Sequence, residues 1–152
     1  AQSFQQTYGY FEIRAKLPAG AGLWPAFWLL PPAGKWPPEI DVFEVVGRDP
    51  TQLIVSVHSG ASGRPKGTSM MVKVPDTSLD FHTYGVLWTA DRLTWFFDGC
   101  RVAEVATPAA LHGPMSMLLN LAVGGSWVGA PDRHTRFPAE LQVDHIRAYE
   151  FR

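Results

Sequence analysis

Three acidic residues lie close together in an apolar segment and form the most distinctive chemical pattern of the chain: Glu39, Asp41 and Glu44. Their neighbours up to position 46 are isoleucine, valine and phenylalanine. Three acids at fixed spacing recur by chance in roughly one window in 500, so the apolar context carries the functional interpretation. Two carboxyl groups about 5–5.5 Å apart can act as nucleophile and proton donor on a glycosidic bond, with retention.

The spacing of the acids makes demands on the strand that carries them. On a regular strand Glu39 and Asp41 share a face, while Glu44 points the opposite way, into the core. Burying that unpaired carboxylate is costly, so the sequence predicts a β-bulge near Val42-Phe43 that turns Glu44 onto the same face. All three acids then line one cleft, and the anions of Glu39 and Asp41 keep Glu44 protonated near neutral pH.

The elements around this segment are predicted to be all-β. Six Trp, nine Phe, 14 Gly and 13 Pro indicate many strands joined by tight turns. Asp98-Gly99 between apolar runs predicts a tight hairpin. Alternating or continuous apolar residues predict the other strands, at 10–17, 23–30, 53–58, 115–123 and 142–151. We expect a surface loop at 59–69 and a short helical turn at 108–112.

Composition restricts the class of protein. With 152 residues and 46% apolar content, a single domain is expected. The net charge of −1 gives nucleic acid no electrostatic footprint and favours a neutral substrate. No apolar run spans a bilayer, and Cys100, the only cysteine, is expected to be a small core residue. Because the sequence starts at Ala1 without a signal peptide, we expect a processed product or fragment.

Several blocks of the sequence together resemble glycoside hydrolase family 16, the family of laminarinases, agarases, carrageenases and lichenases. They are Tyr8-Gly-Tyr-Phe-Glu-Ile-Arg14, Gly22-Leu-Trp-Pro-Ala-Phe-Trp28, Glu39-Ile-Asp-Val-Phe-Glu44, Trp95-Phe-Phe-Asp-Gly99, Asn120-Leu-Ala-Val-Gly-Gly125 and Val143-Asp-His-Ile-Arg147. The resemblance implies a concanavalin-like β-jelly-roll sandwich of two antiparallel sheets. It also implies that Glu39 is the nucleophile, Asp41 its electrostatic helper and Glu44 the acid/base.

The resemblance carries two further expectations. The two residues between Asp41 and Glu44 resemble the laminarinase, agarase and carrageenase branch, which favours a β-1,3-glucan or related polymer as substrate. Because only seven residues precede the block at Tyr8, we expect amino-terminal strands of the sandwich to be missing. Residues 1–152 are then a single catalytic domain, partial at its amino terminus, from an extracellular or periplasmic enzyme.

Other residues are candidates for substrate binding. Trp24 and Trp28 share a face and could stack on successive sugars, although core packing is the alternative. Trp127 follows Gly124-Gly-Ser, where the family places a sugar-contacting tryptophan. His58 faces away from the core side of its strand, as does Asn120, which is either a substrate contact or bonded to backbone. Further aromatic candidates are less specific: Trp36 for the rim, Trp88 for the floor of the cleft, and Trp95 for the core.

No cofactor is expected to be required for catalysis. Asp144 matches the family position of a structural calcium, the alternative being a solvated aspartate, and the histidines lack metal-ligand spacing. We expect a monomer that binds polysaccharide and neither nucleic acid nor membrane. The sequence thus predicts a retaining endo-glycoside hydrolase; a carbohydrate-binding module and a transglycosylase are the alternatives. The complete acidic set disfavours the binding module, because family relatives that became binding proteins typically lack one or both glutamates.

Overall fold

The computed structural model describes residues 4–32, 36–61 and 64–151. These residues form ten β-strands and no helix, which confirms the all-β prediction. The strands are β1 (Gly9–Lys16), β2 (Leu23–Leu30), β3 (Glu39–Glu44), β4 (Gln52–Ala61), β5 (Arg64–Lys73), β6 (His82–Trp88), β7 (Arg92–Phe97), β8 (Cys100–Ala106), β9 (Ser116–Val123) and β10 (Gln142–Tyr149). In this part of the chain no helix could cross a lipid bilayer.

The strands form two antiparallel sheets of five strands each, as predicted. One sheet has the order β5-β4-β3-β2-β9 and carries the acidic segment; we call it the cleft sheet. The other has the order β10-β1-β6-β7-β8, and we call it the back sheet. The acidic strand β3 is therefore central in its sheet, with a neighbour on each side fixing its register.

The core lies between the two sheets and follows the alternation of the sequence. Phe11 and Ile13 of the back sheet and Phe27, Ile40 and Val55 of the cleft sheet are fully buried. Burying each such side chain contributes roughly 1.5–3 kcal/mol. The opposite face of the cleft sheet does not pack against the back sheet, and the acidic residues lie on it.

The hairpin at Asp98-Gly99 is confirmed. Both residues have positive φ, 47° and 76°, as a type I′ turn requires. The expectation that Cys100 lies in the core is wrong, because Cys100 is the first residue of β8 after this turn and is exposed. Strand β8 is at the sheet edge, where a small apolar residue need not be covered.

Two other predicted elements differ from the structure. Residues 59–69 are not a loop: they belong to the hairpin formed by β4 and β5, apart from positions 62–63, which lie outside the described residues. Glycine and serine are tolerated there because β5 is an exposed edge strand. Residues 108–112 form a turn rather than a helix, with the Leu111 N–H donating to the Pro108 carbonyl at 2.9 Å.

The edge formed by β9 and β10 leaves inward-facing apolar residues exposed. Val123 pairs with buried Leu23 and Ile146 with buried Ile13, so both face the space between the sheets. They are nevertheless 53% and 39% exposed. The core is thus closed at its centre and open along this edge.

Candidate active site

The predicted β-bulge is present in β3. Asp41 pairs with Ser56 and Glu44 with Ile54, so three residue steps on β3 match two on β4. The pairing of β3 with β2 is shifted at the same place. Val42 and Phe43, the two residues between Asp41 and Glu44, are both buried. The extra residue turns Glu44 to the face that carries Glu39 and Asp41.

A tryptophan of the back sheet holds this bulge from across the core. The indole Nε1 of Trp95 donates a buried hydrogen bond of 2.8 Å to the backbone carbonyl of Asp41. Trp95 is fully buried, as expected of a core residue. A buried carbonyl at an interrupted ladder needs a partner, so Trp95 fixes the backbone between the acidic side chains.

The acids line an open cleft on the outer face of the cleft sheet. The cleft has a main cavity of about 610 Å³ and an adjoining one of about 290 Å³, both lined by Trp24, Glu39 and Glu44. Together the two cavities contain eight of the residues predicted for catalysis or substrate binding, but neither Trp36 nor Trp88: Trp24, Trp28, Glu39, Asp41, Glu44, His58, Asn120 and Trp127. The sequence-predicted site therefore assembles in one place.

Burial raises the pKa values of both glutamates. The pKa of Glu39 rises to about 7, first because the group is buried and second because the Asp41 anion is near. Burial and then Asp41 likewise raise the pKa of Glu44 to about 7, and the Trp24 indole, donating to Glu44 Oε1 at 3.0 Å, opposes the rise. The predicted direction for Glu44 is correct, but burial exceeds the like charges as its cause.

His58 is the basic neighbour of two of the acids. Its Nε2 lies 3.1 Å from Asp41 Oδ2 and 3.6 Å from Glu39 Oε1. The Asp41 carboxylate raises the pKa of His58, and the imidazolium in turn opposes the rise at Glu39. Gly67 on β5 makes room for the ring, because a Cβ there would lie 3.0 Å from His58 Nδ1.

The candidate binding residues are held in different ways. The Trp24 and Trp127 rings pack edge to face, with centroids 4.9 Å apart, and Trp127 is 45% exposed. The Trp28 indole donates to Asn120 Oδ1 at 2.8 Å, so this amide bonds a side chain. Trp36 is exposed, and its ring centroid lies 6.0 Å from that of His58.

Compared with the prediction from the sequence, the cleft contains further residues and lacks one. Trp88 is not the floor of the cleft, because it is fully buried between the sheets beside Phe11. Besides Val46, which follows the acidic strand, sequence reasoning missed five residues that line the main cavity: Gln52, Ile54, Ser56, Ser69 and Met71. The first three share the strand face of His58, so alternation along β4 would have identified them. The last two lie on β5, which was taken for a loop.

Asp144 lies on the back sheet, away from the cleft. Its Oδ2 contacts Arg14 Nη1 at 3.1 Å and His145 Nδ1 at 3.5 Å. Calcium takes six to eight oxygen ligands, whereas these described neighbours supply nitrogen donors and so do not fit the ion. Calcium at Asp144 stays a prediction that these neighbours do not support.

Comparison with known proteins places the chain in a family. The sequence model described as Glycosyl hydrolases family 16 matches residues 1–146. Two endo-1,3-1,4-beta-glycanases of Rhizobium meliloti, EglC and ExsH, are each 50% identical over 97% of this chain. The chain spans only 31% of their length.

Solved structures agree with this placement. The laminarinase catalytic domain from Thermotoga maritima superposes with a TM-score of 0.87 at 36% identity, covering 98% of this chain and 66% of that one. The endo-beta-1,3-glucanase from Pyrococcus furiosus gives a TM-score of 0.86 at 36% identity, covering 97% and 63%. The resemblance noted in the sequence, and the jelly-roll fold it implied, are confirmed. This chain belongs to the glycosyl hydrolases of family 16.

Proposed function

We propose that this chain carries the catalytic site of an endo-β-glucanase that cleaves β-1,3-linked or mixed-linkage glucan with retention of anomeric configuration. The observation that carries the proposal is the bulge in β3, which brings Glu39 and Glu44 into one cleft. β-Bulges are over-represented next to active sites, where they redirect a side chain, and this bulge brings carboxylates together on one face. The choice of substrate is supported by the names of the relatives: the Pyrococcus furiosus protein is an endo-beta-1,3-glucanase, and the two Rhizobium meliloti proteins are endo-1,3-1,4-beta-glycanases.

The surroundings of the two glutamates assign their roles. Glu39 lies 3.6 Å from His58, which lowers the pKa of Glu39 and so favours the ionised form needed for attack on the anomeric carbon. Glu44 has no ion pair in the described part of the chain, and its only polar side-chain contact there is the Trp24 indole. The pKa values of both glutamates are raised to about 7, so it is the lack of a basic neighbour that suits Glu44 to hold the proton that the leaving oxygen must receive.

The reaction then proceeds in two displacements. Glu39 attacks the anomeric carbon and forms a glycosyl-enzyme ester while Glu44 passes its proton to the departing sugar oxygen. Glu44, now ionised, takes a proton from water, which attacks the same carbon and releases Glu39. Asp41, buried between them, raises the pKa values of His58 and of both glutamates.

The cleft suits a neutral chain of sugars. Trp127 offers an exposed ring at one end, and Trp28 with Asn120 lines the adjoining cavity beyond the acids. Apolar ring faces and amide groups bind sugar faces and hydroxyl groups without net charge. An open cleft with contacts on both sides of the acids fits attack within a chain rather than at its end.

Incubation with a panel of polysaccharides tests the proposal. Laminarin and mixed-linkage glucan should be cut to oligosaccharides whose new reducing ends are initially β by proton NMR, whereas agarose and carrageenan should remain intact. Water as the acceptor gives these reducing ends, and transfer to a second sugar gives longer products instead. Binding without any product would favour a carbohydrate-binding module and contradict the proposal.

A further inference from the structure

Three side chains in the cleft have ligand atoms at the spacing of a metal site. One ligand atom from each of Glu39, Asp41 and His58 can be chosen so that all lie within 4.8 Å of one another. His58 Nε2 is 3.1 Å from Asp41 Oδ2 and 3.6 Å from Glu39 Oε1. Tetrahedral zinc with bonds of about 2.0–2.2 Å places its ligand atoms roughly 3.3–3.6 Å apart. The two distances from His58 Nε2 are therefore within a few tenths of an ångström of those in such a site.

An unsatisfied atom points into this group. Asp41 is 3% exposed, and its Oδ2 accepts no hydrogen bond of good geometry within the described residues. The contact of this oxygen with His58 Nε2 at 3.1 Å lacks hydrogen-bond geometry, and a metal cation bound by both atoms would satisfy the buried oxygen. Glu39 and His58 also line the open main cavity, which gives an ion from solvent a path to the site.

The ligand set selects the kind of ion. One imidazole and two carboxylates suit Zn²⁺, while Mg²⁺ and Ca²⁺ require more oxygen ligands. Three protein ligands leave a coordination position for water from the cleft. No other group of three metal-ligating side chains occurs in the described ranges.

We infer that Glu39, Asp41 and His58 bind one Zn²⁺ ion and that zinc and glucan exclude each other from the cleft. The ion takes the carboxylate oxygen of Glu39 and so occupies the place of the anomeric carbon. That zinc also blocks hydrolysis rests on the proposed function; the binding itself does not. The site is inhibitory, because an ion there removes the nucleophile rather than assisting it.

The matched control for this site is His145 on the back sheet. His145 is also near two carboxylates, but through different ring nitrogens: Nε2 lies 3.6 Å from Glu12 and Nδ1 lies 3.5 Å from Asp144. Two carboxylates on opposite sides of one ring cannot share an ion with it. The exposed thiol of Cys100 would bind zinc independently, so all titrations use a Cys100→Ser background.

Isothermal titration calorimetry with ZnCl₂ tests the inference. We expect one zinc ion per chain in Cys100→Ser and an unchanged zinc affinity after His145→Gln. His58→Gln or Asp41→Asn should reduce the affinity at least about 100-fold. The loss of a metal ligand should weaken binding at least as much as the loss of a group that only orients a ligand. Laminarin oligosaccharide should compete with zinc, and MgCl₂ should not. Circular dichroism checks that both variants fold.

Two results would overturn the inference: no saturable binding in Cys100→Ser, or binding that survives both His58→Gln and Asp41→Asn. In a laminarin assay, zinc should inhibit at the concentration of its calorimetric dissociation constant, and EDTA should restore activity. A protein that binds zinc as described but cleaves no glucan contradicts the proposed function and leaves the metal site intact. Hydrolysis unaffected by saturating zinc contradicts the exclusion.

Discussion

The two sheets treat the same residue types in opposite ways. On the back sheet, three acids each lie beside a different arginine: Asp144 3.1 Å from Arg14, Glu104 2.6 Å from Arg92, and Glu12 3.7 Å from Arg147. On the cleft sheet, Glu39 and Asp41 share a single histidine, and Glu44 has no basic partner among the described residues; the pKa values of Glu39 and Glu44 are raised to about 7. The back sheet neutralises its charges in pairs, whereas the cleft sheet gathers like charges and buries them. Such unfavourable clustering is typical of a catalytic site.

The largest difference between the sheets should appear in activity. Replacing Glu39 with Gln removes the nucleophile, and we expect glucan hydrolysis to fall by roughly 10⁴-fold or more. Glu104→Gln on the back sheet should leave kcat and KM unchanged within error. Reducing-sugar assays on laminarin measure both variants. Full activity of Glu39→Gln would contradict the role of Glu39 as nucleophile and the functional difference between the two sheets.

Removing an acid of the cleft sheet should increase the stability of the fold, although it lowers activity. Glu44 ionises with a pKa of about 4.5 when unfolded and about 7 when folded, so its ionisation destabilises the fold increasingly from pH 4.5 to 7 and fully above. Glu44→Gln should therefore raise the free energy of unfolding by about 1–3 kcal/mol at pH 8 and by much less at pH 4.

Glu104→Gln is the control for this effect. It removes the partner of Arg92 at an exposed site and should lower the free energy of unfolding by about 0–1 kcal/mol at either pH. Urea denaturation at pH 4 and pH 8 measures all forms. A loss of stability in Glu44→Gln at pH 8 would show that the buried charge is well compensated.

The pH profile of kcat/KM should move in two directions. The active form needs Glu39 ionised and Glu44 protonated, so a bell centred near neutral pH is expected, with limbs that belong to the coupled acids. Asp41→Asn removes an anion that raises both pKa values and should shift the bell to lower pH. Trp24→Phe removes the indole that lowers the pKa of Glu44 and should move the alkaline limb to higher pH.

Asp144→Asn, on the back sheet, is the control for these shifts. Its carboxylate contacts Arg14 and His145 and does not line the cleft. The variant should retain the pH profile of the parent. A bell that stays in place in Asp41→Asn would mean that the Asp41 side chain does not raise the pKa values of the two glutamates.

The smallest effect is expected at the exposed tryptophan. Trp127→Ala removes a ring face from the cleft and should raise KM by between about twofold and tenfold, since an aromatic contact contributes roughly 0.5–1.5 kcal/mol. Little change in kcat or melting temperature is expected, because Trp127 is 45% exposed. Steady-state kinetics and thermal melting separate the two effects. A fall in kcat and stability at constant KM would indicate a packing role.

The contrast between the sheets also explains what the sequence could reveal. The bulge was predictable because Glu44 at an odd offset had to leave the core, and burial of charge leaves few solutions. The hairpin at Asp98-Gly99 was predictable from local turn chemistry. Both features depend on neighbours in the chain, and no distant residue has to be known.

Features set by distant residues escaped prediction. Strand β5 was not predicted because its segment contains glycine and serine; it forms because it pairs with β4. The position of Met71 in the cleft was missed for the same reason. The hydrogen bond from Trp95 to the Asp41 carbonyl joins two sheets and has no trace in either local pattern. The dominance of burial in the pKa of Glu44 is likewise a property of packing that periodicity does not report.

The roles of the two glutamates are tested most directly by azide rescue of two variants on an aryl glycoside with a good leaving group. In Glu44→Ala the intermediate still forms without a proton donor, and azide attacks it from the face that water would use, giving a β-glycosyl azide. In Glu39→Ala azide replaces the missing nucleophile in a single displacement, giving the α-azide. Proton NMR of the two products decides the assignment. Two azides of the same anomeric form, or full activity on polysaccharide in either variant, would contradict it.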